Sequence, residues 1–369
     1  METTASGFSP WCSKAVGILA FGYVLPLGYP WLKNEYVRTT ASLHGLHNRN
    51  DYWTGFAGVT DDQLSYLKEH APYDFIRMAA AGHEGYNIFS DSIIRNYFFY
   101  GLDDLSFVSA LVATFVSLGT NASQVAAHDL GLVDVDGTIG EIYKNDRGQE
   151  DRYFTGFDII NWGYELFRPF EPYADRGSHP SGDGSVARYI TFKQLSDDEK
   201  KYLLKQSYLS LLNFASPLLY GIKAIPLGSS GLVGNFALRH YLTSFGTDIT
   251  VSIFLKKKPF NFAITYHNYQ NYNHYFPAIE AELVEFPLNI GRLRFLLSPH
   301  MLIGIQPSNQ EFRTSSLEFL GLFGLRVDYM VHKNVFPYID FTAKTDGWVA
   351  GNEYLGAQAS TRLGVSLRF

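Results

Sequence analysis

The chain has 369 residues, with 30 Lys and Arg against 36 Asp and Glu for a formal net charge of −6. That length supports two domains and a sizeable core, and that charge gives no reason to expect nucleic acid as a partner. The single cysteine, Cys12, excludes an intramolecular disulfide framework and a cysteine-based zinc cluster.

The aromatic share is 16%, with 25 Tyr and 29 Phe, against only 18% charged residues. Such a bias is expected where rings sit at a membrane interface. In chain order the first feature is an apolar run from Ala15 to Gly28, preceded by Lys14. Its length suits the core of a signal segment and is short for a membrane-spanning helix, so residues 1–30 are read as signal-like or as an apolar N-terminal helix. "HGLHNRNDYW" follows, with His44 and His47 at i and i+3, a spacing that suits metal but more commonly marks a capping loop or an interfacial aromatic cluster.

Asp74 to Tyr100 reads as a helix and carries "AAAGHEGYNIFSD", Ala79 to Asp91. His83, Asn87 and Asp91 are spaced to share one helix face, with Glu84 beside them. His83-Glu84-x-x-Asn87 is one residue away from the pattern in which two histidines hold zinc and the glutamate takes a proton from bound water. A hydrolase here would use His83 and Glu84, with His128 and His179 joining His83 to complete the metal shell. The competing reading is a buried helix whose His83 and Glu84 bond to neighbouring elements, with Gly82 and Gly85 allowing close packing.

Leu105 to Ala127 is expected to be a second buried helix, too short and too rich in Ser and Thr to span a bilayer. "LVDVDGT", Leu132 to Thr138, resembles the nucleophile motif of haloacid-dehalogenase-type phosphatases, which implies a paired-aspartate, Mg²⁺-dependent site in an α/β sheet. The residues after it read as turns and short strands, so the segment is expected to be a loop with Asp-Gly turn chemistry. "RPFEPYADRGSHPSGDGSVARY", Arg168 to Tyr189, resembles membrane phosphatidate phosphatases at Arg168-Pro169 and Pro180-Ser181-Gly182. It departs from them at Asn161, where that family has Lys, and at Asp183, where it has His. Arg168, Arg176, His179 and Arg188 nevertheless make this Gly/Pro-rich stretch a candidate anion grip, against a solvated loop whose arginines pair with Asp175 and Asp183. Ser196-Asp-Asp-Glu199 is a capping-box start for a helix that should end before Pro217.

"PLGSSGLVG", Pro226 to Gly234, is the expected boundary, dividing a helical domain over 31–228 from a strand region over 229–369. Beyond it the hydrophobic period is two. Ile249, Val251, Ile253 and Leu255 alternate with Asp248, Thr250, Ser252 and Lys256, and the pattern recurs around Phe262–Tyr266 and Leu325–Val331. Lys258-Pro259, Asn289-Ile-Gly291, Lys333-Asn334 and Asp346-Gly347 supply turns.

In "LGAQASTRLGVSLRF" the odd positions are apolar but for Thr361, and the even positions carry Arg362 and Arg368, up to the terminal Phe369. This stretch resembles the C-terminal signal of bacterial outer-membrane β-barrels, although Thr361 replaces the aromatic often found nine positions from the end. The resemblance implies an outer-membrane location, with the lipid bilayer and the barrel-assembly machinery as partners. The fold expected is α+β: a helical N-terminal domain, periplasmic or membrane-associated, followed by a small antiparallel transmembrane β-barrel of about eight strands. A barrel of that size is filled by side chains, so a porin is not expected. Its polar interior should draw on Arg239, Asp248, Thr250, Glu280, Glu282, Arg326, Asp328, Asp340, Arg362 and Arg368. The functional expectation is a structural or lipid-associated protein. A membrane-bound metal-dependent hydrolase at His83/Glu84 and a soluble two-domain binding protein are the alternatives. The sequence names no cofactor.

Overall fold

The computed structural model describes residues 38–39, 41–46, 49–51, 55–101, 110–112, 114–115, 124–146, 148, 152, 158–229 and 231–367. The apolar run before residue 30, His47, most of the helix expected over 105–127, and the terminal Arg368 and Phe369 lie outside them.

The first part of the chain is helical. α1 (Asp61–His70) opens on a capping box, with Thr60 and Gln63 satisfying each other's backbone N–H groups. α2 (Pro72–Tyr100) begins with proline, which needs no hydrogen-bond acceptor there, and stops at Gly101 in the left-handed conformation (φ 68°). α3 (Val135–Lys144) starts inside "LVDVDGT", where Asp134 accepts from the Gly137 N–H as N-cap. The Asp-Gly turn expected there is therefore a helix start, because a short acidic side chain before a helical run caps as readily as it turns. α4 (Asp158–Phe167) ends before Pro169, and α5 (Asp197–Leu209) starts on the expected Ser196/Glu199 box. A short 3-10 turn, Ser210–Phe214, carries α5 toward Pro217.

The rest is sheet. Apart from a separate small hairpin, β1 (Arg49–Asp51) with β2 (Gly55–Ala57), the strands are β3 (Ile225–Pro226), β4 (Val233–Thr243), β5 (Gly246–Lys257), β6 (Phe260–Asn271), β7 (His274–Leu283), β8 (Phe286–Ile290), β9 (Leu293–Pro307), β10 (Leu317–Tyr329), β11 (Val335–Lys344) and β12 (Gln358–Leu367). They form one antiparallel ten-stranded sheet in the order β12-β11-β10-β9-β7-β6-β5-β4-β3, with β8 paired to β9. The count exceeds eight because of two short strands: β3 flanks β4, and β8 is split from β7 where Glu285 takes a positive φ of 52°. The sheet begins at Ile225, four residues before the expected boundary. Each of the four turn signals falls at or within a connection between consecutive strands. Among the described residues β12 pairs only with β11, so strand pairing does not close the sheet.

The two faces differ in kind. Arg239, Thr250 and His267 are cross-strand partners on one face, as are Arg326, Asp340 and Arg362 further along. Every described residue expected to point inward lies on this face. The opposite face carries Ile253, Ile264, Ala281 and Met301 in one continuous row and Ile339 opposite Leu363 in another. α2 runs antiparallel to β4 on the polar side. Its middle meets the apolar end of that side, where Ile88 packs with Tyr241, Tyr269, Leu302 and Trp348. Its last turns pack Phe98 and Phe99 on Phe254.

Candidate functional site

The His83/Asn87 face of α2 is a strand-edge cap. Among the described residues, β4 has β5 on one side and, on the other, only the two residues of β3. An edge strand leaves backbone groups that must find partners if they are buried. Here side chains supply them. His83 Nε2 lies 2.9 Å from the His240 carbonyl, and the Asn87 amide donates to the same oxygen at 2.9 Å. Asn213 accepts from the His240 N–H at 2.7 Å and donates to Asn87 at 3.2 Å. Trp162 Nε1 donates to the Thr243 carbonyl at 2.8 Å, and the Ser216 hydroxyl donates to that of Phe236 at 3.2 Å. His83 is fully buried, and burial lowers its pKa to about 4, so the ring is neutral and serves as a donor.

Glu84 is fixed from two directions, by Arg77 at 2.9 Å and by the Gly351 N–H at 3.0 Å, the latter tying α2 to the β11–β12 connection. Burial raises its pKa, while the charge of Arg77 works against that rise.

The three candidate metal histidines occupy separate networks. His128 Nδ1 lies 3.1 Å from the Val133 carbonyl and receives the Val135 N–H, against the Phe192 ring. His179 lies beside Asp146 and Ser181. Among the described residues no group of three His, Cys, Asp or Glu side chains is placed to hold a metal ion. His44 pairs with Asp74 at 3.3 Å.

The anion candidates are not a solvated loop. Arg176 and Arg188 are buried, and so is His179. Each already faces a carboxylate: Arg168 meets Glu199 at 3.0 Å, Arg176 meets Glu165 at 3.4 Å, Arg188 meets Asp61 at 2.8 Å and the His179 ring meets Asp146 at 2.9 Å. Lys68 shares Glu165 at 2.5 Å. The arginines thus bolt α1, α4 and α5 together, and an added anion would have to displace a protein carboxylate. Neither Asp175 nor Asp183 is the partner of these three arginines; Asp183 pairs with Arg152 at 2.6 Å.

Two groupings go beyond the sequence reading, which named Asp248, Glu280, Glu282, Arg326 and Asp328 only as interior polar residues. One crosses the polar side of the sheet: Asp248 to His267 at 2.7 Å, His267 to Glu280 at 3.0 Å and Glu280 to His300 at 2.9 Å. It ends in a cavity of about 1030 Å³ between the last turns of α2 and strands β7, β9, β10, β11 and β12. Arg95 enters that cavity from α2 and pairs with Glu282, and Arg326 is held by Asp328 at 2.7 Å and Ser366 at 2.6 Å. The other is the set around Asp146, Arg152, Ser181 and Ser185. Glu280 lies inward as expected, and the same alternation in β6 and β9 marks His267 and His300 as its same-face neighbours. Nothing local marks Asp146 or Arg152.

Comparison with known proteins finds no matching family model, no matching curated protein and no matching solved structure.

Proposed function

We propose that the chain is a bacterial outer-membrane protein whose sheet forms a lipid-embedded barrel and whose helical part anchors and plugs it, in a structural or lipid-associated role. One observation carries this reading: the sheet is apolar and solvent-exposed on its outer face and charged on its inner face. Leu363 is 77% exposed, Val365 59%, Ile279 55% and Met301 49%, and they belong to strands spread across the sheet. A soluble sheet buries such a face, whereas a bilayer-embedded one exposes it. On the inner side, Asp248–His267, Arg95–Glu282 and Arg326–Asp328 pair opposite charges, as a protein-filled interior requires.

The interior is filled at one end by the Tyr241, Phe245, Tyr269 and Trp348 cluster and flanked by α2, which supports an anchor over a pore. Among the described residues no helix is long and apolar enough to cross a membrane, so crossing would fall to the strands. The test is fractionation after expression in a Gram-negative host. The protein should enter the outer-membrane fraction, resist carbonate extraction and migrate faster in SDS gels when unheated. Recovery as a detergent-free soluble monomer would refute the proposal.

A further inference from the structure

Ser181 lies in the exposed turn Pro180–Gly184, where Gly182 and Gly184 both have positive φ (73° and 81°). Its Oγ is 2.8 Å from His179 Nδ1. The Ser181 N–H also points at Nδ1, at 3.2 Å, so Nδ1 carries the lone pair and Nε2 the hydrogen. Nε2 in turn lies 2.9 Å from Asp146 Oδ2. Arg152 stands behind the three: its Nε donates to Asp146 at 2.7 Å, and one terminal nitrogen lies 3.5 Å from Ser181 Oγ and 2.6 Å from Asp183. An exposed hydroxyl, a buried imidazole accepting from it and a carboxylate 2.9 Å from the far ring nitrogen are the parts of an activated serine.

We infer that Ser181 is a nucleophile, His179 its general base and Asp146 the positioning residue of an esterase site acting on uncharged carboxylic esters. Burial and the neighbouring Arg152 charge both lower the His179 pKa, which keeps the ring neutral and able to accept a proton. As Ser181 Oγ bonds to the ester carbonyl carbon, its proton passes to His179 Nδ1. The carbonyl oxygen gains negative charge, which Arg152 is near enough to stabilise. Collapse breaks the bond to the alcohol oxygen, which takes the proton from Nδ1. Water repeats the sequence on the acyl-serine and releases the acid. Asp183 beside the hydroxyl and Asp146 behind the ring outnumber the single charge of Arg152, so an anionic phosphate ester is disfavoured and an uncharged ester is accepted.

The full chain, purified in the detergent that extracts it, is treated with a fluorophosphonate probe and mapped by mass spectrometry. An adduct on Ser181 is expected, and it disappears in Ser181→Ala, a change at an exposed position. His179→Gln is expected to slow labelling by roughly 100-fold or more. Asp146→Asn slows labelling of the folded protein, and Asp146→Glu restores part of the rate, which keeps the test decisive if His179→Gln fails to fold. Hydrolysis of p-nitrophenyl acetate follows the same order, and p-nitrophenyl phosphate is not turned over. Absence of an adduct on Ser181, or labelling equally fast in Asp146→Asn and wild type, overturns the inference. Neither result bears on where the sheet resides.

Discussion

At the scale of single residues, the histidine in "AAAGHEGYNIFSD" shows how far spacing alone can be trusted. The i, i+4 arrangement of His83 and Asn87 is real, and both side chains point the same way, but they point at a backbone carbonyl. Helical spacing cannot tell a metal from a strand edge, because that depends on which element lies opposite. His83→Ala should therefore cost about 1–3 kcal/mol by leaving the edge under-bonded, with no change in metal content; thermal unfolding and elemental analysis check both. The pH dependence follows from the lowered pKa. The unfolded chain takes up a proton on this ring near 6.5 and the folded chain near 4. The stability tied to neutral His83 is complete above about 6.5 and is lost as pH falls toward 4, a total on the order of 3 kcal/mol. In denaturant titrations at pH 7 and pH 4.5, His83→Gln should show a smaller acid destabilisation than wild type. An identical loss in both would remove His83 from the account.

At the scale of elements, the strands were legible and the arginine-rich segment was not. Alternation in β5, β6 and β10 is a local property fixed by the pleat, so it survives without tertiary context. The same holds for the Ser196/Glu199 box of α5, whose two hydrogen bonds lie within four residues. Arg176 and Arg188 sit among Gly and Pro and read as solvated, yet both are buried, because their partners Glu165 and Asp61 come from distant parts of the chain. Strand registry makes a sharper prediction at Gly304. A Cβ there would lie 2.1 Å from the Ala278 Cβ and 2.5 Å from its Cα, on the paired strand β7. Neither is a flexible side-chain end, so backbone must move. Gly304→Ala should destabilise by about 2 kcal/mol or more, whereas Gly324→Ala, where the nearest atom is 3.5 Å away, should be tolerated. Comparable melting temperatures for the two variants would mean that the β7–β9 pairing is looser than its register indicates.

At the scale of the whole molecule, the question is what covers the apolar face of the sheet. Folding that leaves Leu363, Val365, Ile279 and Met301 in water forgoes the main driving force available to them. The inner face meanwhile holds charges that an ordinary soluble core excludes, with Asp248 paired to His267, Glu280 to His300 and Arg326 to Asp328. On the proposed reading, the apolar face meets surroundings less polar than the charged interior. That reasoning fixes the outcome of a paired substitution on β12. Val365→Arg places a charge on the outer face and should cost about 2–4 kcal/mol if the position lies near the bilayer midplane. Ser360→Asn, on the inner face beside Thr342, exchanges one polar group for another and should cost well under that. Refolding yield into lipid vesicles, measured by the unheated gel shift and by protease protection, ranks the two. If both variants refold equally well, or if the inner change is the more damaging, lipid does not cover this face and another protein surface must.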